Sequence, residues 1–246
     1  MSSHQIAAVL MDVDGTLYYQ SLLRAFMVWE LVGHLIHRRS FRRFGIIVRV
    51  IREFRKVREE VRIKKSEHKV LEDWQYEMTA ERVGLSIEQV KAIIEEWIFI
   101  RPLKYLGICK RKGLVKAIEE LERAGKQIGA YSDYPVTDKL KAMGLYESFS
   151  VQLSATDPKV NAFKPDPRGF LFACELWGLA PAQVVYVGDR LAVDAVGAVE
   201  AGMPCVVMSL RSSLKGSGSS EKRLVPGHYW TSNSLTEIVN AVTKPV

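Results

Sequence analysis

Cysteine is scarce in this chain: three residues in 246, Cys109, Cys174 and Cys205, an odd number set far apart with no CxxC spacing. That argues against a disulfide framework or a zinc cage, and reduced thiols in a cytosol fit best. Long hydrophobic runs are lacking too. The two most apolar stretches, 21–36 and 44–51, contain Arg24, Glu30, His34 and Arg49, and neither reaches the length that spans a bilayer. The apolar run at 6–11 has no basic flank before it and is too short for the core of a secretory signal. No repeat is present. Low complexity is confined to 211–221, rich in Ser, Gly and charge, where a mobile loop is expected.

What the chain does have is an ordinary globular composition, 48% hydrophobic and 26% charged, with enough length for one or two domains. Its charge is unevenly placed. The net charge is +7, yet residues 38–69 carry 13 Lys and Arg against four Glu, +9, which leaves −2 for everything else. Any argument about an anionic partner therefore concerns that segment alone.

Hydrophobic periodicity divides the chain in two. The run at 6–11 reads as a buried strand that delivers Asp12 and Asp14 to its C-terminal end. From 18 to 103 the pattern is helical without a convincing strand. Helices are expected at 21–37, 41–61, 71–82 and 86–99, the last opened by a capping box of Ser86 and Gln89. Beyond Pro102, strands at 127–131, 150–153, 184–187 and 205–208 alternate with helices at 114–124, 136–143, 166–177, 192–201 and 234–242. Asp166 and Pro167 read as the cap and first residue of the third of these helices. Such alternation implies an α/β fold, a parallel Rossmann-like sheet with helices on both faces. Ligands bind at the carboxyl ends of strands in such sheets, and three strands here end in Asp12/Asp14, Ser132/Asp133 and Asp189.

The sequence Asp12-Val13-Asp14-Gly15-Thr16-Leu17 places two carboxylates two residues apart at a strand end, with a glycine for a sharp turn. One can act as a nucleophile and the other as an acid and base, which a two-step displacement requires. By itself the pair reads equally as a solvated turn. Further along stand Ser132, Lys164 before Pro165, and Gly188-Asp189-Arg190 followed by Asp194. With these four motifs in order, the chain resembles the haloacid dehalogenase superfamily over about 5–17 and 104–246.

The resemblance implies a mechanism. Asp12 would attack phosphorus and form an aspartyl-phosphate, and Asp14 would protonate the leaving oxygen and then deprotonate water. Ser132 and Asp133 would contribute to phosphate binding, Asp133 mainly through its backbone, and Lys164 would neutralise the phosphoryl charge. Mg²⁺ would be held by Asp12, the main-chain carbonyl of Asp14 and Asp189, with Asp194 supporting it directly or through water. An acid at position 14 fits the family's phosphatases and phosphomutases; the transport ATPases place Thr there and the dehalogenases lack the acid. Its phosphonate hydrolases use a cap lysine, whereas this chain reads Arg24, Arg38 and Arg39 in that region. The implied activity is a Mg²⁺-dependent phosphatase acting on a phosphate monoester, with a phosphomutase as the alternative.

The domain reading follows: a catalytic core of 1–17 and 104–246, and a basic all-helical cap at 18–103 resembling the family's C1 caps. On the second cap helix Arg42, Arg49, Arg52 and Lys56 fall on one stripe at 100° per residue, while Phe44, Ile47, Ile51 and Phe54 lie away from it. The stripe reads as a solvated face, as a funnel for a small polyanionic phosphate substrate, or as a contact with an anionic membrane. Nucleic acid is disfavoured, because Phe41, Phe44 and Phe54 read as core contacts rather than base-stacking platforms. A cytoplasmic protein, membrane-associated on the third reading, is expected, with its oligomeric state open. A binding protein acting through the basic cap is the non-enzymatic alternative.

Overall fold

A computed structural model describes residues 5–38, 41–64, 70–208 and 226–243. The chain opens with strand β1 (Ala8–Met11) and then runs through helices α1 (Gln20–Arg38), α2 (Phe41–Lys64), α3 (Leu71–Val83), α4 (Ile87–Ile94), which passes into a π-helical turn at Glu95–Ile100, and α5 (Leu103–Cys109). Alternation begins after α6 (Leu114–Arg123): β2 (Gln127–Ser132), α7 (Thr137–Met143), β3 (Val151–Ser154), α8 (Arg168–Trp177), β4 (Val184–Gly188), α9 (Val196–Glu200), β5 (Cys205–Met208), β6 (Tyr229–Ser232) and α10 (Leu235–Thr243). Two compact units result: Gln20–Cys109, and the residues up to Tyr19 together with those from Lys110 onward. The expected loop at 211–221 lies outside the described residues.

The sheet of the larger unit has the order β3-β2-β1-β4-β5-β6, every pair parallel. β1, β4 and β5 are buried throughout, which is why they read as unbroken apolar runs rather than alternating ones. The strand order reverses on either side of β1. In register, Met11 pairs with Ala130 on one side and Val187 on the other, so the carboxyl ends of β1, β2 and β4 lie side by side within two residues of one another. That reversal is the switch point at which such sheets open a crevice.

Two elements escape the sequence pattern. α5 and β6 were not legible, the first because seven residues carry too little periodicity and the second because Tyr229–Ser232 alternates over only four. α8 is regular from Arg168, but Pro167 already has helical dihedral angles, and Asp166 accepts from the Arg168 amide at 3.1 Å, the bond a cap makes to the second residue of its helix, as expected of the Asp166–Pro167 pair. The capping box is present: Ser86 accepts from the Gln89 amide at 3.3 Å while its own amide donates to Gln89 at 3.0 Å.

In the helical unit, Ile47, Val50, Phe54, Val57 and Val61 of α2 are buried, and α2 packs on α3 and α4. Gln75 donates to the Phe54 carbonyl at 2.9 Å, and Arg82 clasps Glu60 with two bonds of 2.7 and 2.6 Å. Phe54 is core, Phe44 is half-buried, but Phe41 is 78% exposed, contrary to its reading as a core contact. It sits at the first residue of α2, beyond reach of the face that packs.

Glu30 of α1 is a second tie in this unit. It accepts from Arg101 at 2.9 Å and from Lys104 and Tyr105. These donors, Lys104 foremost, hold its carboxyl down at about 2, against an ordinary 4.5. A depressed native value stabilises fully above the unfolded pKa, and the contribution is lost as pH falls through the native one. Glu30→Gln is therefore expected to cost about 1–2 kcal/mol at neutral pH, after allowance for solvent screening. The gap between variant and wild type should close between about pH 4.5 and 2, as denaturant titrations at several pH values would show. A gap that persists at the acid end would mean that Glu30 acts through packing.

Candidate active site

The turn after β1 is held rigidly. Asp12 donates its amide to the Val187 carbonyl at 2.8 Å, and the buried Arg111 guanidinium donates to the carbonyls of Thr16 at 2.9 Å and Gly15 at 2.5 Å. Gly15 has φ of 99°, and a Cβ there would stand 2.1 Å from Asp189 Oδ2. Only glycine lets the first motif approach the Asp189 carboxylate so closely. Gly188 acts similarly, since a Cβ on it would meet the Asp194 side chain at 2.5 Å.

Lys164 lies at the centre of one network. Its ammonium donates to Asp12 Oδ1 at 2.6 Å, Asp194 Oδ1 at 2.7 Å and the Tyr186 hydroxyl at 2.9 Å. Tyr186 in turn donates to Asp194 at 3.0 Å. Burial opposes the ammonium charge, but Asp12 and Asp194 outweigh it and drive its pKa up. Burial likewise pushes the Asp12 carboxyl well above the carboxylate range, against the pull of Lys164. One cation serves two buried carboxylates, so a second positive charge near Asp12 would lower the electrostatic cost of the site.

Asp14 belongs to a different network. Lys139 of α7 donates to both its oxygens at 2.7 Å, Ser132 donates at 2.9 Å, and Tyr18 donates as well. Burial would raise the Asp14 carboxyl, but Lys139 and these hydrogen bonds bring it down to about 2. Two carboxylates two residues apart are thus held in opposite electrostatic states, Asp14 ionised and Asp12 pushed towards its neutral form.

Asp189 stands apart from both networks. Its Oδ1 is buried without a hydrogen-bond partner, and burial together with Asp194 pushes its carboxyl up to about 6. One oxygen from each of Asp12, Asp189 and Asp194 falls within 4.8 Å of the others. Hard oxygen donors with one buried lone pair unanswered suit a small divalent cation. Asp194 is the least free of the three. Oδ1 faces Lys164 and Tyr186, while Oδ2 accepts from the amides of Asp189 at 3.1 Å and Arg190 at 2.9 Å. Asp133 accepts from the Lys164 amide at 3.3 Å, bracing the loop that carries the lysine.

Six of the seven singled-out side chains thus lie at the carboxyl ends of β1, β2 and β4 or on the Lys164 loop, and the seventh, Asp194, lies in the helical turn Leu191–Ala195 that follows β4. Four contributors were not found from sequence. Lys139 lies seven residues past Ser132 among other charged residues, and Tyr186 is one apolar-looking position of a buried strand. Arg111 and Thr16 act through contacts that only the folded turn creates. Tyr18, just past the first motif, is 2% exposed and bound to Asp14.

A six-stranded parallel sheet with acidic strand ends at its switch point, and an all-helical insertion after β1, defines an α/β scaffold with an aspartate-centred site. A sequence model of the haloacid dehalogenase-like hydrolases matches residues 6–202, and the chain belongs to that family. It is 26% identical over 206 residues to a glyceraldehyde 3-phosphate phosphatase of Methanopyrus kandleri, covering 82% of this chain and 83% of that protein. Among solved structures, an HAD phosphatase from Thermococcus onnurineus superposes with a TM-score of 0.58 at 23% identity, over 95% of this chain and 96% of its own. A 2-haloacid dehalogenase from Pseudomonas syringae superposes with a TM-score of 0.61 at 18% identity, over 97% and 98%. The fold therefore accommodates both chemistries and does not choose between them.

Proposed function

We propose that this chain is a Mg²⁺-dependent phosphatase that hydrolyses a small phosphate monoester through an aspartyl-phosphate on Asp12. The observation that carries the proposal is Asp14, a second carboxylate held beside the nucleophile by Ser132, Tyr18 and Lys139. A halide leaves as a stable anion and needs no proton, whereas an alkoxide leaving phosphorus does. A structured acid–base at this position has a task in phosphate ester hydrolysis and none in dehalogenation. Similarity to a glyceraldehyde 3-phosphate phosphatase supports the same reading.

In this mechanism Asp12 attacks phosphorus in line while Lys164 neutralises charge on the attacking oxygen and the phosphoryl group. The arriving phosphate lifts the Asp14 pKa, so that Asp14 can carry the proton the leaving oxygen takes. Once the alcohol departs, Asp14 accepts a proton from the water that attacks phosphorus of the Asp12 acyl phosphate, which releases inorganic phosphate and regenerates the Asp12 carboxylate. Asp194 and Tyr186 keep Lys164 aimed at Asp12. Asp12, Asp189 and the Asp14 carbonyl would hold Mg²⁺, with Asp194 supporting the site directly or through water, and the ion would supply positive charge to the phosphoryl group.

The direct test is hydrolysis of p-nitrophenyl phosphate with Mg²⁺ and with EDTA. Turnover that needs the metal and returns when it is restored is expected. Calorimetric binding of Mg²⁺ should also weaken as pH falls through about 6, where Asp189 takes up a proton. Metal-independent turnover, or binding indifferent to Asp189→Asn, would overturn the metal assignment.

A further inference from the structure

α1 presents an unusual face. Leu22, Val28, Trp29, Val32 and Ile36 are 40%, 62%, 76%, 40% and 69% exposed. At 100° per residue they span an arc of roughly 120°, along about 20 Å of helix. No acidic residue falls in that arc: Glu30, the one acid of α1, lies outside it and is bound to Arg101, Lys104 and Tyr105. Phe41, 78% exposed, adds a further aromatic at the start of α2. Exposed apolar surface this concentrated marks an interaction site.

The charge of the same unit says what covers it. Arg42, Arg49, Arg52 and Lys56 of α2 are all exposed, within a segment of net charge +9. Ile47, Val50, Phe54, Val57 and Val61 of α2 are buried inside the unit while Phe41, Val48 and Ile63 are exposed, so α2 contributes mainly charge and α1 the larger apolar area. A second copy of this chain would bring the same excess of positive charge to the contact and be repelled. Nucleic acid would satisfy the cations but not Trp29 and Ile36. An anionic bilayer answers both, its headgroups meeting the arginines and its acyl boundary the apolar side chains. Trp in particular favours that boundary, where its ring is half immersed.

We propose that α1 and α2 form a docking surface for anionic lipid membranes, peripheral rather than spanning, since no helix of the described residues is long and apolar enough to cross. The inference stands independently of the catalytic reading. Co-sedimentation with vesicles of phosphatidylcholine, alone or mixed with phosphatidylglycerol, tests it. Binding to the mixed vesicles at low salt is expected, weakening as salt screens the charges. The double variant Trp29→Ser/Ile36→Ser and the triple variant Arg42→Gln/Arg49→Gln/Arg52→Gln should each reduce partition by about tenfold or more, with the melting transition and p-nitrophenyl phosphate hydrolysis unchanged. Failure to bind the mixed vesicles would overturn the proposal, as would equal binding to both vesicle types. So would a concentration-dependent dimer broken by the Trp29/Ile36 variant, which would give the face to a second copy. Retention of single-stranded DNA that depends on the arginines and not on Trp29 would give it to nucleic acid.

Discussion

Asp12→Asn is expected to abolish turnover, by about 10⁴-fold or more, while the fold survives. The amide has the shape of the carboxylate but cannot attack phosphorus. Stability should change by no more than about 1 kcal/mol, because two effects oppose each other. The variant forfeits an ion pair with Lys164 at 2.6 Å. It also removes one of the carboxylates crowded into a buried cluster, where burial already pushes Asp12 towards its neutral form. Lys164 keeps Asp194 and Tyr186 as partners, so no buried charge is orphaned. Steady-state assays with p-nitrophenyl phosphate, paired with thermal melts, would check both halves. Beryllium fluoride, which mimics an aspartyl-phosphate, should protect wild type against unfolding and leave the variant unaffected. Residual turnover within tenfold of wild type would refute Asp12 as nucleophile.

The second large effect concerns Lys139 and reads out through the leaving group. If Lys139 positions Asp14 for proton donation, Lys139→Met should cost most where the leaving oxygen most needs a proton. kcat/KM follows the reaction up to loss of the alcohol, so it isolates that step. Asp14→Asn is expected to lower kcat/KM for an alkyl phosphate by about 10²–10⁴ and for p-nitrophenyl phosphate far less, since nitrophenolate leaves unaided. Lys139→Met should show the same selectivity at about 10–100-fold, and Lys139→Arg should restore part of it. Removing one partner of a buried pair also destabilises, so melts must accompany the kinetics; Tyr18 and Ser132 still bind Asp14 in the variant. An equal loss on both esters would make Lys139 a structural residue. Selectivity in Asp14→Asn without selectivity in Lys139→Met would leave the acid assignment standing and remove Lys139 from it.

Much of this protein is legible in its amino-acid sequence alone. The alternation of short apolar runs with amphipathic helices specifies a parallel sheet, because strands buried on both faces must be apolar at every position and crossover helices must not be. The strand-end acids specify where the chemistry gathers, since in such sheets strand ends converge at the switch point. The register of Met11 with Ala130 and Val187 realises that convergence. Asp12, Asp14, Ser132, Lys164, Asp189 and Asp194 are legible as candidates because they occupy, in order, the motif positions of the family that the chain resembles.

What only the tertiary structure decided is which charge answers which. Nothing in the spacing of Lys139 distinguishes it from the other lysines and arginines of the chain until α7 carries its ammonium to within 2.7 Å of Asp14. Tyr186 reads as strand core until Lys164 and Asp194 meet its hydroxyl. The same holds at the surface. The periodicity of α1 marks a helix, but only packing decides that Trp29 and Ile36 face outward while Leu23 is buried. Motifs record local geometry, which neighbours along the chain impose. Electrostatic pairing and burial depend on distances between residues far apart in sequence, and folding alone sets those distances.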